Sequence, residues 1–338
     1  MTYIDSIKAG IRLINRNWQL VLIQVGAMFV SIVGFFIFIG IPLAVAFIIF
    51  GIDLTGLSQP DEIFRLFKSP SDIISRYLGL AILLFTFLLA YILSVFILGV
   101  FVFGGSIGTM AKYIKDSESF NFKTFWQEGK RLFFPLVGFT AIIGLGFLIL
   151  AFILGLLGGS ISAIVSLAKE QEATLALFLG IFFSLLLFVI GLSLIMIILS
   201  ITIYGAAIIA LNGEGPFSAI KKATLYLYRR PQGLYLYCLI FLGFVIINFL
   251  IIAIGIPMGL VPLIGPLLSF VYQISVYFLQ SYLGLIMIAA IIIYYHSTSG
   301  MSHPDDLEID SIQAVDTSPQ GASQQEGSLS GTDETGGV

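Results

Sequence analysis

Five stretches of this chain, 19–52, 77–111, 132–167, 175–211 and 233–295, contain no Asp, Glu, Lys, Arg or His. All 35 of its Asp, Glu, Lys and Arg residues fall outside them. Water gives no reason to sort charges in this way. A bilayer does, because a charged side chain at its centre costs roughly 2.5–3.5 kcal/mol even on the insertion scale. The pattern therefore predicts an all-α, polytopic integral membrane protein, and it removes from the spans most groups that do acid–base or metal chemistry.

A helix needs about 20 residues to cross the hydrocarbon core. The first four stretches, of 34 to 37 residues, are too long for one tight crossing and too short for two. Each reads as one long span, tilted, kinked or projecting, with Pro42 expected to kink the first. The fifth stretch is interrupted by Ile256-Pro257-Met258-Gly259-Leu260-Val261-Pro262-Leu263-Ile264-Gly265-Pro266. Three prolines and two glycines there predict a turn and a sixth span from about residue 268 to 295. The apolar run after Arg16 is too long for the hydrophobic region of a cleaved signal peptide.

Basic residues orient the spans. Alternate segments hold Lys8, Arg12 and Arg16; Lys112, Lys115, Lys123, Lys130 and Arg131; and Lys221, Lys222, Arg229 and Arg230, 12 in all. The intervening segments hold four, namely Arg65, Lys68, Arg76 and Lys169. The positive-inside rule then places both termini in the cytoplasm. Residues 297–338 carry eight acidic residues and no Lys or Arg, in a Ser-, Gly- and Gln-rich context. They read as a disordered acidic cytoplasmic tail on a six-span domain of residues 1–296.

Three segments on the basic side look alike: Ile4 to Ile14, Phe122 to Phe133 and Phe217 to Tyr228. Each spaces apolar residues as a short helix in the interface would, so the expectation is three helix-hairpin repeats, each opened by a short cytoplasmic interfacial helix. The segment Leu211-Asn212-Gly213-Glu214-Gly215-Pro216-Phe217-Ser218-Ala219-Ile220-Lys221-Lys222-Ala223 carries a more specific pattern. A span ending in a Glu-Gly element, followed by an Ala-rich helix and a step into the next span, resembles the six-span YciC-like bacterial family. It is also similar to the membrane domain attached to some glycerophosphodiester phosphodiesterases. What the resemblance implies is architectural, because the phosphodiesterase chemistry belongs to a separate soluble domain. Ala223 stands where a Ser is common in those families.

Candidate chemistry is sparse. No metalloprotease, nucleophile-elbow, phosphate-loop or Cys-x-x-Cys motif is present. His296 and His303, with Asp305 and Asp306, form only a loose set, so neither a metal nor another cofactor is expected. Asp61 and Asp72 follow Ser-Gln-Pro and Ser-Pro-Ser and read as helix-start residues. The expectation is a protein that is not an enzyme.

Two sets of residues remain as candidate sites. In the sixth span Ser269, Gln273, Tyr277, Gln280 and Gly284 recur on one helical face. That face either lines a polar path for a permease or lipid-handling transporter, or binds helices together, and the second reading is preferred. Lys221, Lys222, Arg229 and Arg230, with tyrosines between them, either hold anionic lipid headgroups or serve topology alone. Nucleic acid does not fit a membrane face. Gly104-x-x-x-Gly108, Gly155-x-x-x-Gly159 and Gly255-x-x-x-Gly259 suit close helix packing, within one chain, in a homo-oligomer or against another membrane protein. The leading expectation is a membrane-organising protein or accessory subunit.

Overall fold

The structure, a computed structural model, describes residues 2–56, 70–117, 120–255 and 265–299. Helices account for nearly all of them: α1 (Tyr3–Arg16), α2 (Gln19–Phe35), a π turn (Phe36–Gly40), α3 (Ile41–Gly56), α4 (Pro70–Asp116), α5 (Phe122–Gln171), α6 (Ala173–Asn212), α7 (Pro216–Arg229), α8 (Pro231–Gly255) and α9 (Gly265–Ser299). Six helical segments among the described residues are long and apolar enough to cross a membrane, and the protein is an all-α, multi-pass membrane protein. The first of these segments, Gln19–Ile49, runs through the π turn. Pro42 explains that turn: it has no N–H to give the carbonyl of Phe38, and its ring crowds that carbonyl, so the backbone widens just before it.

Helices α4, α5 and α6 contain 47, 50 and 40 residues. At 1.5 Å per residue they reach about 60–75 Å, beyond the roughly 40–45 Å of a bilayer with its headgroups. Their packing is uneven along that length. The core collects Leu13 and Ile14, Val100 to Ala111, Phe125 to Phe139, Tyr204 to Leu211, Ala219 and Ala223, Tyr237, and Leu285 to Tyr295. All of these lie toward the end of the bundle that carries α1, α7 and the three basic segments. Toward the opposite end large apolar side chains such as Phe47, Phe85, Phe152, Phe182 and Phe249 are exposed, as lipid-facing groups are.

Two of the three repeat-like segments form separate short helices. Thr2 caps α1 through a reciprocal pairing with Asp5. Asn17 then breaks the chain before α2: its amide donates to the Leu13 carbonyl at 2.8 Å, and its Oδ1 accepts the Phe120 N–H at 3.0 Å. Pro231 separates α7 from α8 in the same place. The middle segment departs from expectation. Phe122 opens α5, capped by Asn121, and the helix continues without a break to Gln171. The helix runs on past Arg131 and accommodates Pro135 in its interior. Of the three segments, α1 and α7 are therefore separate short helices, and the third is the first part of a long apolar helix.

The Pro-rich turn at 256–264, the Ser58–Asp61 helix start, Arg65, Lys68, His303 and the acidic tail beyond Ser299 lie outside the described residues. Helix α8 ends at Gly255 and α9 begins at Gly265, on either side of that turn.

Candidate functional site

The C-terminal quarter of α6 organises the basic end. Every residue from Tyr204 to Leu211 is buried, so this part of the helix meets protein on all sides. Against α5, Gly205 faces the ring of Phe139 so closely that a Cβ added there would lie 2.6 Å from it. Against α8, the Tyr204 hydroxyl donates to the Gly233 carbonyl at 2.9 Å. The same ring meets Tyr226 of α7 and Tyr295 of α9, with centroids 5.3 and 6.4 Å away.

Where α6 stops, its last carbonyls are taken by cations from neighbouring helices. Lys115 of α4 donates to the Leu211 carbonyl, and Arg131 of α5 donates to that of Ala210 at 3.3 Å. Positive charge at a helix C-terminus also complements the macrodipole. Gly213 then turns the chain with φ +69°, a conformation that costs glycine little. Arg131 also pairs with Glu128 at 2.7 Å, and Glu128 lies against Gly108, where a Cβ would approach its own Cβ to 2.6 Å. Gly105 admits the ring of Phe125 in the same way. The 104–108 glycines thus bring α4 and α5 together, while Gly155 and Gly159 have no neighbour within 4 Å.

The corner between α6 and α7 holds its own polar cluster. Glu214 accepts from Lys222 at 2.5 Å and from Ser218 at 2.6 Å. The Lys222 and Ser218 hydrogen bonds hold its carboxyl below the usual carboxylate range. A depressed pKa contributes stability above the ordinary carboxylate value, and that contribution is lost as pH falls through the lowered one. Acidification is therefore expected to loosen this corner. Glu214→Gln is expected to remove that component from a plot of melting temperature against pH, and a plot identical to the parent's would sink the assignment. Ala219 and Ala223 press α7 into the core with no exposure, so a small residue is what position 223 requires.

The candidate headgroup residues share this end. Lys221 and Arg229 are exposed, Arg230 is half-buried, and Lys222 is held by Glu214. Arg16 joins them from α1, its guanidinium 3.3 Å from the Tyr113 hydroxyl and stacked over that ring.

The polar face of α9 is divided among different surroundings. Gln280 donates to Asn248 of α8 at 2.7 Å, and Asn248 donates to the Phe244 carbonyl, so this position joins two helices. Tyr277 borders a cavity of about 810 Å³ between α2, α4 and α9, together with Gln24, Ser31 and Tyr91 among apolar side chains. Gln273 is exposed and Ser269 half-buried, and neither lines that cavity. Sequence reasoning missed the partner of Gln280 and the cavity, although Asn248 is the one Asn inside an apolar stretch and marked α8 as the helix to ask about.

Among the described residues no group of three or more His, Cys, Asp or Glu could hold a metal ion. The chain matches no protein-family model, no curated protein and no solved structure.

Proposed function

We propose that this chain is a non-enzymatic multi-pass protein of a prokaryotic cytoplasmic membrane, with both termini cytoplasmic, that organises the membrane or serves as an accessory subunit. The observation that supports this reading is the gathering of three basic segments around one tightly packed end. There, Lys115 and Arg131 cap α6, Lys222 fixes the α6–α7 corner, and Lys221 stands exposed where anionic headgroups would lie. The architecture is similar to that of YciC-like proteins and carries no catalytic residues over from them. A permease or lipid-handling transporter is the second reading, supported by the mid-membrane cavity beside Tyr277.

Single cysteines placed in a Cys238→Ser background separate the two. With a membrane-impermeant maleimide, Lys221→Cys is expected to label from the cytoplasmic side alone. Gln273→Cys, Tyr277→Cys and Gln280→Cys are expected to stay silent from both sides. Labelling at Tyr277 and Gln280 that a solute or lipid blocks would put the transporter first.

A further inference from the structure

A second cavity lies near the basic end, on the side of the bundle formed by α2, α4 and the start of α5. Its volume is about 510 Å³, within the roughly 300–1,000 Å³ range of small-molecule sites. Its walls are mostly apolar: Ile23, Ala27 and Val30 of α2, Phe101 of α4 and Trp126 of α5, with Ser94 of α4 among them. From Ile23 to Val30 it follows α2 for about 10 Å. Phe122 stacks on Trp126 with centroids 6.4 Å apart, and Phe101 meets Trp126 edge-on at 4.8 Å. An exposed Trp and Phe at the start of a span are what an interfacial aromatic belt provides.

Charge decides the occupant. Lys123, Trp126 and Lys130 stand three and four residues apart and so share one face of α5. Lys130 places its Nζ 5.5 Å from the centre of the Trp126 ring. Both lysines are exposed, and neither carries an ion pair among the described residues. Two cations on the α5 face that carries Trp126, beside an apolar slot which that ring helps to line, match one kind of molecule: a lipid with an anionic head and a hydrocarbon chain.

We infer that this cavity seats an anionic phospholipid, its phosphate held by Lys123 and Lys130 and one acyl chain lying along α2 beneath Trp126. The seat is distinct from the basic residues of α7, and it rests on the reading that the basic end meets the inner leaflet.

Trp18 and Trp126 are the two tryptophans of the chain, which gives the test its probe. The full-length Trp18→Phe protein is reconstituted in phosphatidylcholine vesicles. A small fixed fraction of the lipid is either phosphatidylglycerol or phosphatidylcholine with brominated acyl chains, and quenching of Trp126 is measured. Brominated phosphatidylglycerol is expected to quench at lower mole fraction than brominated phosphatidylcholine. Lys123→Gln and Lys130→Gln are each expected to reduce that preference about fivefold, and the exposed side chains leave folding, followed by circular dichroism, unchanged. Equal quenching by the two lipids in the parent protein would overturn the seat, as would a preference that survives in the double variant. Vesicles of symmetric composition make the comparison independent of orientation. Lost preference with Lys221→Cys labelled from the cytoplasm defeats the seat alone. Intact preference with that cysteine labelled from outside defeats the orientation alone.

Discussion

Tyr204→Ala is expected to destabilise the protein by about 3–5 kcal/mol, the range for removing a fully buried ring. The side chain has no exposure and is one of the largest in the core. It touches three neighbouring helices at once: through its hydroxyl to the Gly233 carbonyl of α8, and through its ring to Tyr226 of α7 and Tyr295 of α9. Truncation would leave a cavity at the point where those helices meet and strand a buried carbonyl. In a chain of this size each kcal/mol moves the melting temperature by about 2–4 °C, so a fall on the order of 10 °C in mild detergent is the expected reading. Tyr204→Phe keeps the ring and loses only the hydrogen bond, and about 1 kcal/mol is expected for it. Equal effects from the two variants would mean that the ring contributes nothing, against the packing described.

The second large effect is at the adjacent position. Gly205→Leu is expected to cost about 1–3 kcal/mol or more through overpacking, because even its Cβ would lie 2.6 Å from the Phe139 ring. Leu at Gly155 or Gly159 is expected to change nothing, since no atom lies within 4 Å of either added Cβ. The comparison tests a specific claim, that α5 and α6 approach most closely where Gly205 meets Phe139, while the Gly155–Gly159 stripe of α5 is left uncovered. Melting temperatures of the three variants decide it. Strong destabilisation by Gly155→Leu would show that a partner, another copy or another protein, covers that stripe.

These contrasts also show what a motif spacing conveys. Gly104 and Gly108 pack against α5, whereas Gly155 and Gly159, at the same spacing, face no protein. Spacing places two small residues on one helical face. It does not say what lies opposite, and Gly205 belongs to no such pair yet makes one of the closest approaches in the bundle.

The same division holds for the polar residues of the sixth span. Their periodicity is a property of one helix and was legible, but the partner of each depends on five other helices. Gln280 found Asn248, Tyr277 a cavity wall, and Gln273 the exposed surface. The middle repeat-like segment follows a related rule. Its local pattern matches those of α1 and α7, yet it stays continuous with its span and takes Pro135 into the helix.

The sequence by itself determined that the chain is helical, that it has six spans, and that 12 of its 16 Lys and Arg residues fall in three alternate segments. Those follow from the cost of placing charges and unpaired backbone groups in hydrocarbon, which acts on each segment separately. Tertiary structure decided that the tight core lies toward the basic end, that Lys115 and Arg131 cap α6, and that Trp126 lines an apolar slot with α2 and α4. Inside a bilayer apolar surface gains little by leaving lipid, so helices join where small residues, hydrogen bonds and caps let them approach. Such hydrogen bonds between helices join residues distant in the chain, 29 positions apart for Tyr204 with Gly233 and 267 for Asn15 with Tyr282, and no local pattern encodes them.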